Sequence, residues 1–286
     1  MRTLISLVLI LSFATSNADS HTGTLLRVAE TGEFRIGYVP DAPPLSFKDS
    51  EDNVVGYSIE LCRRIAAATR DQLGLEKIDI VFVPLLTMED RLSAIENGNV
   101  DIECGTTTVT LSRRERVDFT LMTFITGSAV LSRKKDPIDT VDDLVGAKVA
   151  VLGGTTTEDV LRKVMDINDF KIKLKIIGSH NEGMDLLNSG KVAGYASDRA
   201  MLIGQVFRKA NASEEYALTR SVLSFEPYAL MVPRGDTEFR LVADKALASL
   251  YRGAGIRRLY HTWFGRYGET LSPIVEAMYE FQAVGE

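Results

Sequence analysis

Along the chain, apolar residues recur at every second position in some stretches and at every third or fourth in others, the spacings of strands and helices. Residues 33–39 alternate as a strand and run into Pro40-Asp-Ala-Pro-Pro44, and residues 57–70 carry Ile59, Cys62, Ile65 and Ala66 on one helical face. Residues 78–83 read as a second strand, 88–96 as a helix stopped by Asn97-Gly98, and 100–104 as a third strand. The run 119–132 is mostly apolar and extended until Lys134-Lys-Asp-Pro137 breaks it. A second series starts at Thr140, with strand 148–152, helix 156–165, strand 171–177, helix 181–188 closed by Gly190, strand 192–196 and helix 198–207. Such alternation predicts parallel α/β sheets, and its two series predict two lobes. Ligands of open sheets collect beyond the carboxyl ends of the strands. Thr106 to Arg113, Gly153-Gly-Thr-Thr156, His180 and Asp198 all follow predicted strands there.

Composition narrows the class. The chain has 286 residues, of which 45% are hydrophobic, enough for a full core, and a net charge of −6. Its basic residues are scattered, so no stripe suits nucleic acid. Arg2, the short apolar run 4–13 and Ser16-Asn-Ala18 form the pattern of a secretory signal cleaved after Ala18. The apolar run is too short to span a bilayer, no cysteine lies near the cleavage point to carry a lipid, and the expectation is a freely diffusing periplasmic protein. His21, His180 and His261 lack metal-ligand spacing, so no metal or other cofactor is expected. Two cysteines, Cys62 and Cys104, exclude a disulfide scaffold and leave open whether the pair is bonded.

The richest chemistry lies in Asp101-Ile-Glu-Cys-Gly-Thr-Thr-Thr-Val-Thr-Leu-Ser-Arg-Arg-Glu115. A strand there runs into a hydroxyl-rich loop, and Ser112 with Glu115 reads as a capping box that puts Arg113 in the first turn of a short helix. A planar guanidinium beside helix-end amides suits a carboxylate, although a solvated threonine loop has the same composition. Gly153-Gly-Thr-Thr-Thr-Glu158 opens a helix and suits a small anion or a plain cap; it lacks the lysine and spacing of a nucleotide loop. His180 and Asp198, read singly, fit capping as well as ligand contact. No nucleophile elbow is present, and no acid pair has convincing glycosidase spacing.

Val55-Gly-Tyr-Ser58, Asp90-Arg91, Asn97-Gly98, Asp101-Ile-Glu-Cys-Gly-Thr-Thr-Thr108, Ser112-Arg113, Gly154-Thr-Thr-Thr-Glu158, Asp198 and Trp263-Phe-Gly265, in this order, resemble the family-3 extracellular solute-binding proteins, nearest their glutamate/aspartate-binding branch. The resemblance implies a two-lobed α/β type II periplasmic binding protein, each lobe a mostly parallel sheet flanked by helices. Lobe one would comprise residues 19–126 and 227–286, lobe two 127–226, with crossing strands near Thr126 and residues 225–228. It further implies a monomer that closes on an amino acid and presents it to a membrane ABC permease without entering the bilayer itself.

By the same resemblance, Arg113 and the Thr108 amide would hold the ligand α-carboxylate, with Thr155 and Thr156 at the lobe-two helix start. Thr106 and Asp198 would hold the α-ammonium, and Arg91 and His180 would face a distal carboxylate. The chain departs from the branch at Val39, where an arginine stands in the pattern, and at Thr87, a hydroxyl displaced by one residue. An acidic amino acid is the first expectation, glutamine or asparagine the second. A cyclohexadienyl dehydratase, which shares the fold, is the enzymatic alternative, with Asp198 or Glu158 as its acid or base.

Overall fold

The computed structural model describes residues 21–207 and 214–285. The predicted signal and its cleavage point lie outside the described residues. In chain order the first elements are α1 (Gly23–Thr31), β1 (Glu33–Tyr38), short strands β2 (Asp41–Ala42), β3 (Ser46–Lys48) and β4 (Val54–Val55), and α2 (Tyr57–Gln72). Next come β5 (Asp79–Pro84), α3 (Met88–Glu96), β6 (Ile102–Glu103), α4 (Leu111–Arg114) and β7 (Asp118–Thr126). The middle of the chain forms β8 (Ser128–Arg133), β9 (Lys148–Leu152), α5 (Thr156–Asn168), β10 (Lys173–Ile177), α6 (His180–Asn188), β11 (Gly194–Asp198), α7 (Arg199–Phe207) and β12 (Tyr216–Leu218). It ends with β13 (Glu226–Val232), α8 (Thr237–Arg252), α9 (Gly255–Phe264) and α10 (Pro273–Gln282).

These elements form two five-stranded sheets, ordered β5-β1-β6-β13-β7 and β10-β9-β11-β8-β12, beside a small β2-β3-β4 sheet. In each large sheet one strand, β13 or β8, runs antiparallel to the other four. The predicted single run 119–132 is two strands in two different sheets. Its residues are extended and apolar on both sides of Gly127, but Thr126 pairs with Glu226 in the first sheet and Ser128 with Asp198 in the second. The chain therefore crosses at 126–128 and returns at 224–226.

Each sheet has its own core. Phe34, Ile36, Ile59, Ile65, Leu230, Phe239 and Phe264 are buried together around the first, and Leu131, Leu152, Leu187, Tyr195 and Leu202 against the second. The parallel strands β6, β9, β10 and β11 point their carboxyl ends at the cleft between the lobes, whereas the antiparallel β8 and β13 begin there. Two boundaries shift with consequence for the site. Ser179 caps α6 through the Glu182 N–H at 3.2 Å, so His180 is its first residue. Helix α7 begins at Arg199, which leaves Asp198 as the last residue of β11.

Candidate ligand-binding site

The lobe-one half grows from the end of β6. Cys104 is disulfide-bonded to Cys62 of α2, with their Cα atoms 6.4 Å apart, so the following loop is tied to a core helix. Gly105 fits because a Cβ there would stand 2.1 Å from Glu103 Oε1 and 2.8 Å from Val39 Cγ2. Ser58 donates to the Gly105 carbonyl at 2.8 Å, and the Val109 N–H to Pro227 O at 2.8 Å. Thr106, Thr107 and Thr108 are buried in this pinned loop.

The expected Ser112–Glu115 capping box is not formed. Thr110 is the N-cap of α4 and accepts from the Arg113 N–H at 3.2 Å, because its extended backbone, two residues before Ser112, aims its hydroxyl into the first turn. Arg113 still enters the cleft. Its guanidinium is buried and donates to Thr108 O at 2.7 Å and, across the lobes, to Gly154 O at 3.5 Å. Burial and the neighbouring Arg91 charge lower its pKa from the usual arginine value, while Glu226, Glu103 and Asp198 oppose them.

Arg91 sits on α3, whose N-cap Thr87 forms a reciprocal box with Asp90. The Thr87 hydroxyl is therefore engaged by its own helix. Arg91 is only 2% exposed, and its guanidinium makes no hydrogen bond or ion pair with any of the described residues. Glu103, fully buried nearby, accepts from Thr107 through Oε2 while Oε1 stays without a partner. Its burial raises its pKa, and the Arg91 charge works in the other direction.

The lobe-two half is built from helix starts. After β9, Gly154 turns with φ +72°, and Thr155 caps α5 by accepting from the Glu158 N–H at 3.3 Å while donating to Leu152 O at 2.7 Å. Thr156 follows at the first helical position, its hydroxyl on Glu226 Oε2 at 2.6 Å. His180 is buried, with Nδ1 2.5 Å from the Tyr195 hydroxyl. Burial lowers the His180 pKa and raises that of Tyr195. A tyrosine that keeps its proton can pair with either tautomer of a neutral imidazole; where it donates to Nδ1, the histidine proton lies on Nε2. Asp198 accepts from the Tyr228 hydroxyl and from Thr157 at 3.4 Å. Burial first, and the Glu226 charge second, push its pKa up to about 6.

All eight sequence-predicted residues, Arg91, Thr106, Thr108, Arg113, Thr155, Thr156, His180 and Asp198, line a single cavity. Its volume of about 20 Å³ is close to that of one water site, so the lobes are shut. Three groups escaped the sequence reading. Glu226 and Tyr228 reach the site from the return crossing, and Asp41 closes its rim by accepting from the Asn181 N–H at 3.1 Å. Glu226-Pro-Tyr228 interrupts an apolar run at the predicted crossing, a signal that marks the place but not the partners. Chemically, the cavity offers two guanidinium groups, a neutral imidazole and a carboxylate, a set matched to a small charged zwitterion. Among the described residues no group of His, Cys, Asp and Glu could hold a metal ion.

Residues 34–266 match the family model of bacterial extracellular solute-binding proteins, family 3. An L-glutamate/L-aspartate-binding protein of Pseudomonas aeruginosa is 35% identical over 250 residues, 86% of this chain and 82% of that protein. Among solved structures, an ancestral arginine-binding protein bound to glutamine superposes with a TM-score of 0.72 at 29% identity, covering 82% of this chain and 98% of its own. The ancestral amino-acid-binding protein AncCDT-1, a precursor of cyclohexadienyl dehydratase, gives 0.72 at 26% identity, covering 85% and 100%.

Proposed function

Because the chain belongs to the family-3 bacterial extracellular solute-binding proteins, we propose that it captures an acidic amino acid, glutamate or aspartate, between its lobes and delivers it to a membrane ABC permease. One observation carries the choice of ligand. Arg91 is a buried cation at the cavity whose guanidinium makes no hydrogen bond or ion pair among the described residues, the buried Glu103 charge acting on it only from a longer distance. A buried charge without a hydrogen-bonded counter-ion is costly, so the site is completed by a ligand that brings an anion to it. His180 lines the same cavity and faces the same distal group.

The other roles follow from position. Arg113, with the amides of Thr108 and of the α5 start at Thr155 and Thr156, takes the α-carboxylate. Asp198 and Thr106 take the α-ammonium. The lobes that perform this are residues 19–126 with 227–286, and 127–226, in a monomer that works in the periplasm after cleavage at Ala18. Among the described residues no helix is long and apolar enough to cross a membrane.

Val39 favours a second reading. The valine is buried beside Gly105 and supplies no charge where the glutamate/aspartate branch has an arginine, so glutamine or asparagine would meet one cation instead of two. Calorimetry of the mature protein, unfolded and refolded to remove carried-over ligand, separates the readings. Binding of glutamate or aspartate at least tenfold tighter than either amide is expected; tighter binding of the amides would transfer the assignment to them. We read the protein as a binder and not an enzyme, since the full set of cavity groups is engaged by the amino acid. Turnover of prephenate or arogenate would reverse that.

A further inference from the structure

Glu226 begins the return crossing opposite Thr126 and is 2% exposed. Its Oε2 accepts from the Thr108 hydroxyl of lobe one at 2.8 Å and from the Thr156 hydroxyl of lobe two at 2.6 Å. Its Oε1 accepts from Ser128 at 3.3 Å and from Ser224. Four hydroxyls from both sides of the hinge thus converge on one carboxylate. Among the described residues no lysine or arginine lies within ion-pair distance of it, and it stands behind the two threonines without lining the cavity.

A threonine hydroxyl has a single proton. Once Thr108 and Thr156 give theirs to Glu226, only lone pairs remain toward the cleft. Those hydroxyls can then only accept and cannot donate to a carboxylate, which falls to Arg113 and the main-chain amides. Since one threonine belongs to each lobe, the carboxylate holds both only when the lobes are closed. Opening carries Thr156 away from it.

We propose that Glu226 is a positioning residue: it never touches the amino acid, but fixes the proton direction of Thr108 and Thr156 and makes that arrangement coincident with lobe closure. The ligand part of this inference rests on the amino-acid reading above; the hinge part does not. The test compares Glu226→Met, which removes both acceptors, with Glu226→Gln, which keeps a carbonyl oxygen. Losing hydrogen bonds to a charged group predicts roughly 10- to 100-fold weaker binding of the wild-type ligand for Glu226→Met. Glu226→Gln recovers most of it, whereas equal losses for both would mean that Glu226 only fills space and would overturn the proposal. In a double-mutant cycle, Thr156→Val added to Glu226→Met costs little more, because the two act as one unit; additive losses also overturn it.

Small-angle scattering without ligand reads the hinge directly. Glu226→Met shifts the ligand-free protein toward the open form, and an unchanged scattering curve counts against the proposal. Should that variant fail to fold, Thr156→Val alone gives the same shift by removing the lobe-two donor. A wild-type protein that binds none of glutamate, aspartate, glutamine and asparagine would sink the amino-acid reading and leave the scattering result to decide the hinge.

Discussion

At the scale of single residues, the site divides its work between two arginines of different standing. Arg113 already has carbonyl partners at 2.7 and 3.5 Å, whereas the guanidinium of Arg91 has none among the described residues. Arg113→Ala should therefore abolish detectable binding while leaving the thermal transition within a few degrees of wild type. Retained affinity in that variant would remove Arg113 from the site. Arg91→Ala should weaken acidic ligands about 10- to 100-fold and amides far less, as measured by calorimetry with both ligand classes. Equal loss for both would deny Arg91 any role in selectivity. Asp198 adds a pH dependence whose sign follows from its pKa of about 6. Only the ionised form pairs with an ammonium, so binding drives its proton off; affinity is flat above about pH 7 and falls below pH 6 by up to about tenfold per unit. Titrations at pH 5.5 in two buffers of different ionisation enthalpy should show proton release that vanishes at pH 7.5, and its absence at pH 5.5 would break the Asp198–ammonium pairing. Arg113 and Asp198 were candidates from their places at a helix and a strand end, whereas Arg91, inside α3, was named only through the family resemblance. Glu226 and Asp41 were not legible, because the partners of Glu226 come from both lobes and those of Asp41 from the other lobe, distant in sequence, and no local spacing records them.

At the scale of elements, the ligand loop is held by the segments that flank it. The pattern of apolar positions located the strand before it and the helix after it, yet misjudged the cap. Ser112 and Glu115 have the right spacing for a box, but Thr110 precedes them with an extended backbone and takes the Arg113 N–H first. Sequence spacing cannot rank two competing hydroxyls; backbone direction does. The same limit applies to the cysteines, whose separation of 42 residues says nothing of the 6.4 Å between their Cα atoms. Because this bond ties the loop to α2 by closing a loop of that length, replacing both cysteines by serine should lower stability by about 3–4 kcal/mol. Chemical denaturation of the two proteins reads this, and a loss below about 1 kcal/mol would mean that packing alone pins the loop. The extended run 119–132 shows a further limit: both halves are apolar strands, so nothing in their periodicity reveals that they pair in different sheets.

At the scale of the whole molecule, closure depends on contacts at the rim as well as on the ligand. The segment Asp41 to Pro44 of lobe one presses on helices of lobe two: the Asp41 carboxylate receives the Asn181 N–H at the start of α6, and its carbonyl receives Gln205 Nε2 at 2.6 Å. Gly204 of α7 admits this approach, since a Cβ there would lie 2.1 Å from Pro43 O. None of these groups lines the cavity. They act on the closed form alone, and a ligand's apparent affinity scales with the population of the form that binds it. Asp41→Ala removes a carboxylate from a helix N-terminus and leaves the ligand contacts intact, a change of about 0.5–1.5 kcal/mol in the closed state. The dissociation constant should rise about three- to tenfold for every ligand alike, and nearly all of the change should be faster release, since the rim contacts form after the ligand has entered. Stopped-flow measurement of association and release separates the cases. A loss confined to acidic ligands would make Asp41 part of the pocket's electrostatics, through its proximity to His180, and an unchanged release rate would mean that the lobes close without help from the rim.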